Sequence, residues 1–258
     1  MDTGKIRDTL AGRVNNVEYF DEIDSTNDYA KKNNSPDNTL ILCDYQTEGR
    51  GRFKRKWDAV KGEDLTFTLV KSFKLAIDDM QLVNFYTTYV TFSALKELLG
   101  ENSSALRLKW PNDILIGGKK ICGILIEVKD VNKLEKRFII GIGINVNQES
   151  FPDDIKKKAT SILIETGEKL KREDLLLKIM DLFYGMSDLI GDKESLFSLW
   201  KDNFEHMGKK IKIRKFVDDI EVSALVKGLR TDGGLELEME DGSMQVYYSG
   251  EISLTYDN

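Results

Sequence analysis

Between Leu106 and Val146 the chain passes through four apolar segments in succession, Leu106–Trp110, Ile114–Ile116, Ile121–Val128 and Phe138–Val146, with no helical stretch between them. Gly117-Gly118-Lys119 is a tight connection that marks a hairpin, and Pro111-Asn112 reads as a turn. This pattern predicts a meander of neighbouring strands and excludes a βαβ series, so a doubly wound nucleotide fold is not the plan of this chain.

The flanking segments add helices to that sheet. Val17–Ile23 reads as a strand, and Ser25-Thr26-Asn27-Asp28 then offers N-cap side chains to a helix through Ala30 and Lys32. Leu40–Tyr45 and Leu65–Val70 are further strands, and apolar residues recur at helical spacing from Asp78 to Leu99, predicting one long amphipathic helix. Glu173–Ile190 and Lys193–Phe204 return to that spacing. After His206-Met207-Gly208 the pattern changes to short strands with Asp-Gly turns at 232–233 and 241–242. The expected architecture is α+β, with a mixed β-sheet and packed helices over residues 1–207 and a small all-β domain over 208–258. A length of 258 residues with 41% apolar content supports one sizeable core and such a satellite.

Several function classes lack material. The longest apolar runs fall far short of the roughly 20 residues of a spanning helix, and the first residues carry no signal-peptide pattern, so the expectation is no membrane segment and a cytoplasmic location. Cys43 and Cys122 sit inside apolar strands, the setting of buried inert thiols. His206, the single histidine, leaves nothing from which to build a zinc site or a Ser-His-Asp triad and is expected at the surface or in a linker. A net charge of −6 argues against a broad phosphate-binding surface, yet Arg50, Arg52, Lys54, Arg55 and Lys56 crowd into one loop.

That loop, Gln46 to Trp57, combines glycines, guanidinium groups and an indole. Gly49 and Gly51 permit close backbone approach, so that amide N–H groups can face an anion, while Arg50 and Arg52 add charged donors. Read alone it also leaves open an RNA-contacting surface loop. Lys109-Trp110-Pro111-Asn112-Asp113 is by itself a turn signal, and Lys120, at the mouth of an apolar strand, either points into a cleft or is a solvated hairpin lysine. Gly141 and Gly143 interrupt a strand that would otherwise bury branched side chains on both faces, and strand glycines admit a ligand or another backbone.

Together, Ser25-Thr26-Asn27, the Gly-Arg loop ending in Trp57, Lys109 to Asp113, Lys120 with Gly123, and Gly141 to Asn145 resemble the biotin protein ligases, in family order. Gly250-Glu251-Ile252-Ser253-Leu254 is similar to that family's C-terminal domain. The resemblance implies a catalytic domain like that of class II aminoacyl-tRNA synthetases followed by an SH3-like barrel. It also implies two half-reactions: biotin and Mg-ATP give biotinyl-5'-adenylate and pyrophosphate, and a lysine of a biotin carboxyl carrier protein then takes the biotinyl group.

By the same resemblance Lys120 lies between the biotin carboxylate and the α-phosphate, Arg52 retains the adenylate, and Asp113 orients Mg2+ or the incoming amine. Ser25, Thr26, Asn27 and Gln46, with Gly49, Arg50, Gly123 and Gly141, hold biotin. Arg55, Trp57, Asn112 and Asn145 join Arg52 around the nucleotide, and Gly141 and Gly143 keep the pocket floor low. A homodimer through the sheet is implied as well. Two departures stand out: Lys54 occupies a loop position where the family usually has glycine, and only 24 residues precede Ser25, too few for the winged-helix DNA-binding domain of the ligases that double as repressors. The competing readings are a lipoate ligase or octanoyl transferase of similar fold, and a nucleic-acid-binding module using the basic loop.

Overall fold

The computed structural model describes residues 1–130, 135–215 and 220–254. The order is α1 (Thr3–Thr9), β1 (Asn16–Phe20), α2 (Thr26–Lys32), β2 (Thr39–Cys43), β3 (Leu65–Phe73), α3 (Leu82–Leu99), β4 (Leu106–Lys109), β5 (Asp113–Ile116), β6 (Lys119–Asp130) and β7 (Lys136–Ile144). Then come α4 (Ile162–Thr166), α5 (Arg172–Gly185), α6 (Lys193–Asp202), β8 (Lys210–Lys215), β9 (Ile220–Leu229), β10 (Leu235–Met239), β11 (Met244–Tyr247) and β12 (Glu251–Leu254). The side chains of Lys54, Asp130, Lys215, Ile220, Glu251, Ser253 and Leu254 lie outside the described residues.

The larger sheet has seven strands in the order β1-β2-β3-β7-β6-β5-β4. Only β1 and β2 are parallel, which makes the sheet mixed, and β4 to β7 form the meander expected from their short connections. Because strand side chains alternate, the sheet has two unlike faces. One carries Leu65, Phe67 and Leu69 of β3, Cys122 and Ile124 of β6, and Phe138, Ile140, Ile142 and Ile144 of β7, all in the main core with α3, α5 and α6. The other carries Thr66, Thr68, Gly123, Leu125, Glu127, Gly141 and Gly143. Helix α2 covers only part of that second face, where Ala30 packs with Ile41, Val70 and Ile139. The uncovered part is where a site can form.

Helix α3 departs from the amphipathic expectation. Val83, Phe85, Tyr86, Thr87, Val90, Thr91, Phe92, Ala94 and Leu95 are all buried, so the helix is enclosed around most of its circumference. It lies between the sheet and the helices behind it, with Phe85 against Phe197 and Trp200 and the Tyr86 hydroxyl donating to the Phe183 carbonyl. Two of its buried threonines, Thr88 and Thr91, return their hydroxyl protons to the carbonyls one turn back, at 2.7 and 2.8 Å, whereas the Thr87 hydroxyl has no hydrogen-bond partner among the described residues. Among the described residues no helix is long and apolar enough to cross a membrane.

The C-terminal sheet runs β11-β10-β9-β8-β12, antiparallel throughout, with its first strand between its second and its last in the manner of an SH3-like barrel. It packs on the unit built around the larger sheet: the buried Trp110 indole N–H donates to the Gly233 carbonyl at 3.0 Å. His206 lies at this junction and is buried, not at the surface as expected, because the Glu205 N–H bonds the Leu108 carbonyl at 2.9 Å and draws the linker inward. Burial, and then the Lys109 and Lys209 charges, push its imidazole pKa down to about 3, so it is neutral.

Candidate active site

Gly123 stands directly opposite Gly143 across β6 and β7, and Gly141 is paired with Leu125 and Thr68. Three glycines on one face of adjacent strands leave a trough that other side chains enter. A methyl group on Gly143 would sit 2.5 Å from Cε2 of Trp57, and one on Gly141 would sit 2.5 Å from Oδ1 of Asn27. The floor is indeed low, but the space above it is taken by the protein's own Trp57 and Asn27. A cavity of about 340 Å³ opens over this floor.

Lys120 reaches the cavity because β6 is irregular. Asp113 pairs with Gly123 and Ile114 with Cys122, but Leu115 pairs with Lys120, so one extra residue is inserted opposite β5. In an unbroken strand Lys120 would share the face of Cys122, which is fully buried in the core. The bulge leaves Ile121 and Cys122 both in the core and turns Lys120 onto the face of Asp113 and Gly123. Its Nζ ends 2.6 Å from Asp113 Oδ1 and 5.5 Å above the Trp57 ring.

At the other end of the trough the polar groups come from α2 and the strand beneath it. Ser25 caps α2, its hydroxyl accepting from the Asp28 N–H at 3.4 Å. Both the N–H and the hydroxyl of Thr26 reach Gln46 Oε1, at 2.8 and 3.1 Å, which turns the Gln46 amide nitrogen away from them. Thr68 donates to Asn27 Oδ1 at 2.6 Å, and Asn27 Nδ2 donates to Glu127 Oε2 at 3.0 Å. The side chain of Arg50 bonds Asp28 at 2.5 Å and Glu127 at 3.4 Å, while Lys31 bonds the same two carboxylates. Arg50 is thus neutralised inside the protein and does not belong to a free cation field.

The basic loop is a small hairpin. The Gly51 N–H donates to the Arg55 carbonyl at 2.7 Å and the Trp57 N–H to the Gly49 carbonyl at 2.9 Å, with Phe53 at the tip at φ 57°. The Gly51 amide therefore closes the loop, instead of facing an anion as its sequence suggested. Arg52 points inward, donating to Asn112 Oδ1 at 3.3 Å, and burial is the first cause that lowers its pKa from the ordinary guanidinium value. Asn112 Nδ2 is held by the Ile124 carbonyl, and Asn145 Nδ2 by the Thr160 carbonyl at 3.0 Å. Two buried groups bordering the cavity lack partners among the described residues: the Trp57 Nε1 donor and the Asn145 Oδ1 acceptor. Arg55 lines the same cavity, so the structure gathers Ser25, Thr26, Asn27, Gln46, Arg50, Arg52, Arg55, Trp57, Asn112, Asp113, Lys120, Gly123, Gly141 and Asn145 around one space. Gly49 supports the loop from beneath, against Trp57 and Gln46.

Known proteins resemble this chain in sequence and fold. Residues 19–145 match the biotin/lipoate A/B protein ligase family and residues 206–255 the biotin protein ligase C terminal domain. The chain is 32% identical to the bifunctional ligase/repressor BirA of Bacillus subtilis, over 92% of this chain and 73% of that protein. The chain belongs to the biotin protein ligase family. It is also similar to the biotin protein ligase of Aquifex aeolicus in complex with biotin and ATP, with 28% identity, a TM-score of 0.78, and coverage of 94% of this chain and all of that one. A biotin--[acetyl-CoA-carboxylase] ligase of Mycobacterium tuberculosis is 26% identical over 63% of this chain and 62% of that protein.

Within this family framework the structure adds residues that sequence reading missed. Phe151, Ile155, Lys158 and Ala159 form a strap over the cavity, tied to β6 where the Lys120 N–H donates to the Lys158 carbonyl at 2.8 Å. Pro152-Asp153-Asp154 and the lysines after it read only as a polar loop, so no pattern marked this strap. Gly250 and Ile252 also line the cavity, from the C-terminal sheet. Glu127 was legible in principle: it shares the period-two face of Gly123 and Leu125, where a carboxylate at the end of an apolar run is out of place. Cys122 is fully buried and its thiol pKa is pushed up by that burial, which leaves it unsuited to a thioester route.

Proposed function

We propose that this chain activates biotin with Mg-ATP and transfers the biotinyl group to a lysine of a biotin carboxyl carrier protein or domain. The observation that carries this reading is the bulge that aims Lys120 onto the glycine trough, between Asp113 and the Trp57 ring. In the first step a biotin carboxylate oxygen attacks the α-phosphorus, the new O–P bond forms, and the bond to pyrophosphate breaks. Two anions must be brought together, and fixed cations in a poorly hydrated cleft offset their repulsion by several kcal/mol. Lys120 has three N–H donors, of which Asp113 engages one, so two remain for the carboxylate and the phosphate. Arg52 has five donors and uses one on Asn112.

Nucleotide recognition is assigned to Arg52, Arg55, Trp57, Asn112 and Asn145. The unpartnered Asn145 Oδ1 suits an exocyclic amino group, since its own amide nitrogen is already committed to Thr160. Asn112 acts by holding Arg52. Biotin is assigned to Ser25, Thr26, Asn27, Gln46, Gly49, Arg50, Gly123 and Gly141, with Asn27 and Arg50 contributing through backbone and shape because their side chains are engaged within the protein. Mg2+ enters with the nucleotide. Asp113 is the carboxylate that would face it, and a single carboxylate suits an ion that keeps waters and phosphate oxygens as its other ligands. In the second step the carrier amine attacks the acyl carbon, AMP leaves, and Asp113 orients the amine.

The test is biotin-dependent ATP–pyrophosphate exchange, reduced strongly by Lys120→Ala. No exchange above background with the purified protein refutes the reading. Sedimentation of the protein with and without biotin and ATP checks the homodimer through the sheet.

A further inference from the structure

The side chain of Glu127 is 29% exposed, yet its carboxylate receives three donors from two segments, α2 and the basic loop: Asn27 Nδ2 at 3.0 Å, Lys31 Nζ at 2.8 Å and Arg50 Nη2 at 3.4 Å. Nothing in the chemistry assigned above uses it. Resting on the biotin reading, we propose that Glu127 is a positioning residue that fixes which hydrogen-bonding groups the biotin end of the cavity presents. It does so by orienting Asn27, and it holds the first stem of the basic loop by accepting from Arg50.

The orientation follows from proton accounting. An ionised carboxylate only accepts, and so does the Leu125 carbonyl, which lies 3.3 Å from Asn27 Nδ2. With both of these on one side, the Asn27 amide nitrogen must face them and its Oδ1 must face Thr68. Thr68 is fully buried and has one hydroxyl proton, which it gives to Asn27 Oδ1 at 2.6 Å. Thr26 Oγ1 lies 2.8 Å from Thr68 and 3.1 Å from Gln46 Oε1, so its proton goes to one of these two protein acceptors. From Thr26 and Gln46, a ligand is left a lone pair on Thr26 beside the Gln46 amide N–H groups, and the Ser25 hydroxyl proton lies at the same end. An acceptor next to a donor complements the N–H and C=O of a cyclic urea. If Asn27 reversed, Thr68 would donate toward Thr26, and that complement would blur.

The charges support the second half of the proposal. Asp28 and Glu127 balance Lys31 and Arg50, two against two, in a half-buried cluster. Neutralising Glu127 leaves two cations on Asp28, and Arg50 sits one residue beyond Gly49, where the loop hairpin begins.

The experiment compares Glu127→Gln and Glu127→Ala with the unaltered protein in pyrophosphate exchange. Loss of a charge-assisted contact predicts a biotin KM raised about tenfold, with the ATP KM within about twofold. Discrimination between biotin and an analogue with an imine in place of the ring carbonyl should fall in both variants, which a purely structural role would not produce. Equal changes in both KM values, or unchanged discrimination, overturn the assignment. Trypsin cleavage at Arg50, Arg52, Arg55 or Lys56, measured without any ligand, should be faster in both variants, and an unchanged rate removes the Arg50 part. Absence of exchange in the unaltered protein would instead sink the biotin reading, while the trypsin result still decides whether Glu127 holds the loop.

Discussion

Adding one methyl group at either of two positions on β7 should damage the two ends of the site separately. In Gly143→Ala the new carbon would stand 2.5 Å from Trp57 Cε2, whereas carbon atoms in contact prefer about 3.5–4.0 Å, so the indole must move by about 1 Å. It has little room to do so: its backbone N–H is tied to Gly49 at 2.9 Å and Lys120 Nζ lies 5.5 Å above the ring. Overpacking of this kind costs about 1–3 kcal/mol, which as lost affinity is about 5-fold to 150-fold. In Gly141→Ala the methyl group meets Asn27 Oδ1 at 2.5 Å, and Asn27 is fixed by Thr68 and Glu127.

The two positions are about 7 Å apart on one strand face. The expected outcome is therefore a split: Gly143→Ala raises the KM for ATP and Gly141→Ala the KM for biotin, in exchange assays that vary one substrate at a time. Thermal melts of both variants should stay cooperative, confirming that the sheet still forms. If each variant raises both KM values alike, or leaves both within twofold, the trough is not divided between Trp57 and Asn27 and the reasoning is wrong.

Lys120→Ala should slow adenylate formation by about 10²–10³-fold while leaving the melting temperature nearly unchanged, and a variant with ordinary exchange rates would remove Lys120 from the chemistry. Cys122→Ala should keep activity within about twofold and lower stability by about 1–2 kcal/mol through a small cavity, whereas abolished acyl transfer would restore the thioester route. Asp64 is buried and its pKa is raised from 3.8 to about 6, chiefly by desolvation, against the N–H groups of Val60 and Val146. Its proton is held more tightly in the folded state, so the associated stability is present below about pH 4 and lost as pH rises through about 6. Asp64→Asn should therefore gain stability relative to the unaltered protein between pH 4 and 7, by an amount on the order of 1–3 kcal/mol in chemical denaturation, and a difference that does not change with pH contradicts this.

Much of the fold could be read because it rests on local pattern. The meander from β4 to β7 announces itself by tight connections, and the change to short strands after His206 marks where the helices end. The misreadings come from tertiary surroundings. Helix α3 shows helical spacing of apolar residues, but its threonines, polar by type, are buried too, Thr88 and Thr91 with their hydroxyls returned to the backbone. His206 is drawn inward by the Glu205–Leu108 hydrogen bond, a contact with no local signature. The residues that line the cavity could be picked out by type and order, but the bulge that turns Lys120 outward depends on pairing with β5. A one-residue change of register cannot be read from β6 alone.

The same limit applies to charge. In the sequence, Arg50 and Arg52 are equivalent members of one basic loop. In the structure they are opposites: Arg50 faces Asp28 and Glu127 and is neutralised, whereas Arg52 faces the neutral Asn112. Burying a cation without partners is costly, so a folded protein awaiting its anions must supply some of its cations with substitutes. Where the substitute is a pair of carboxylates, an arriving phosphate meets a closed network. Where it is a single amide, or the one carboxylate on Lys120, donors remain open. The unequal pairing therefore directs negative charge to the Lys120 and Arg52 end of the trough. On the function proposed above, the Thr26 and Gln46 end is left suited to a neutral ring, and the two halves of an acyl adenylate would be told apart before either has bound.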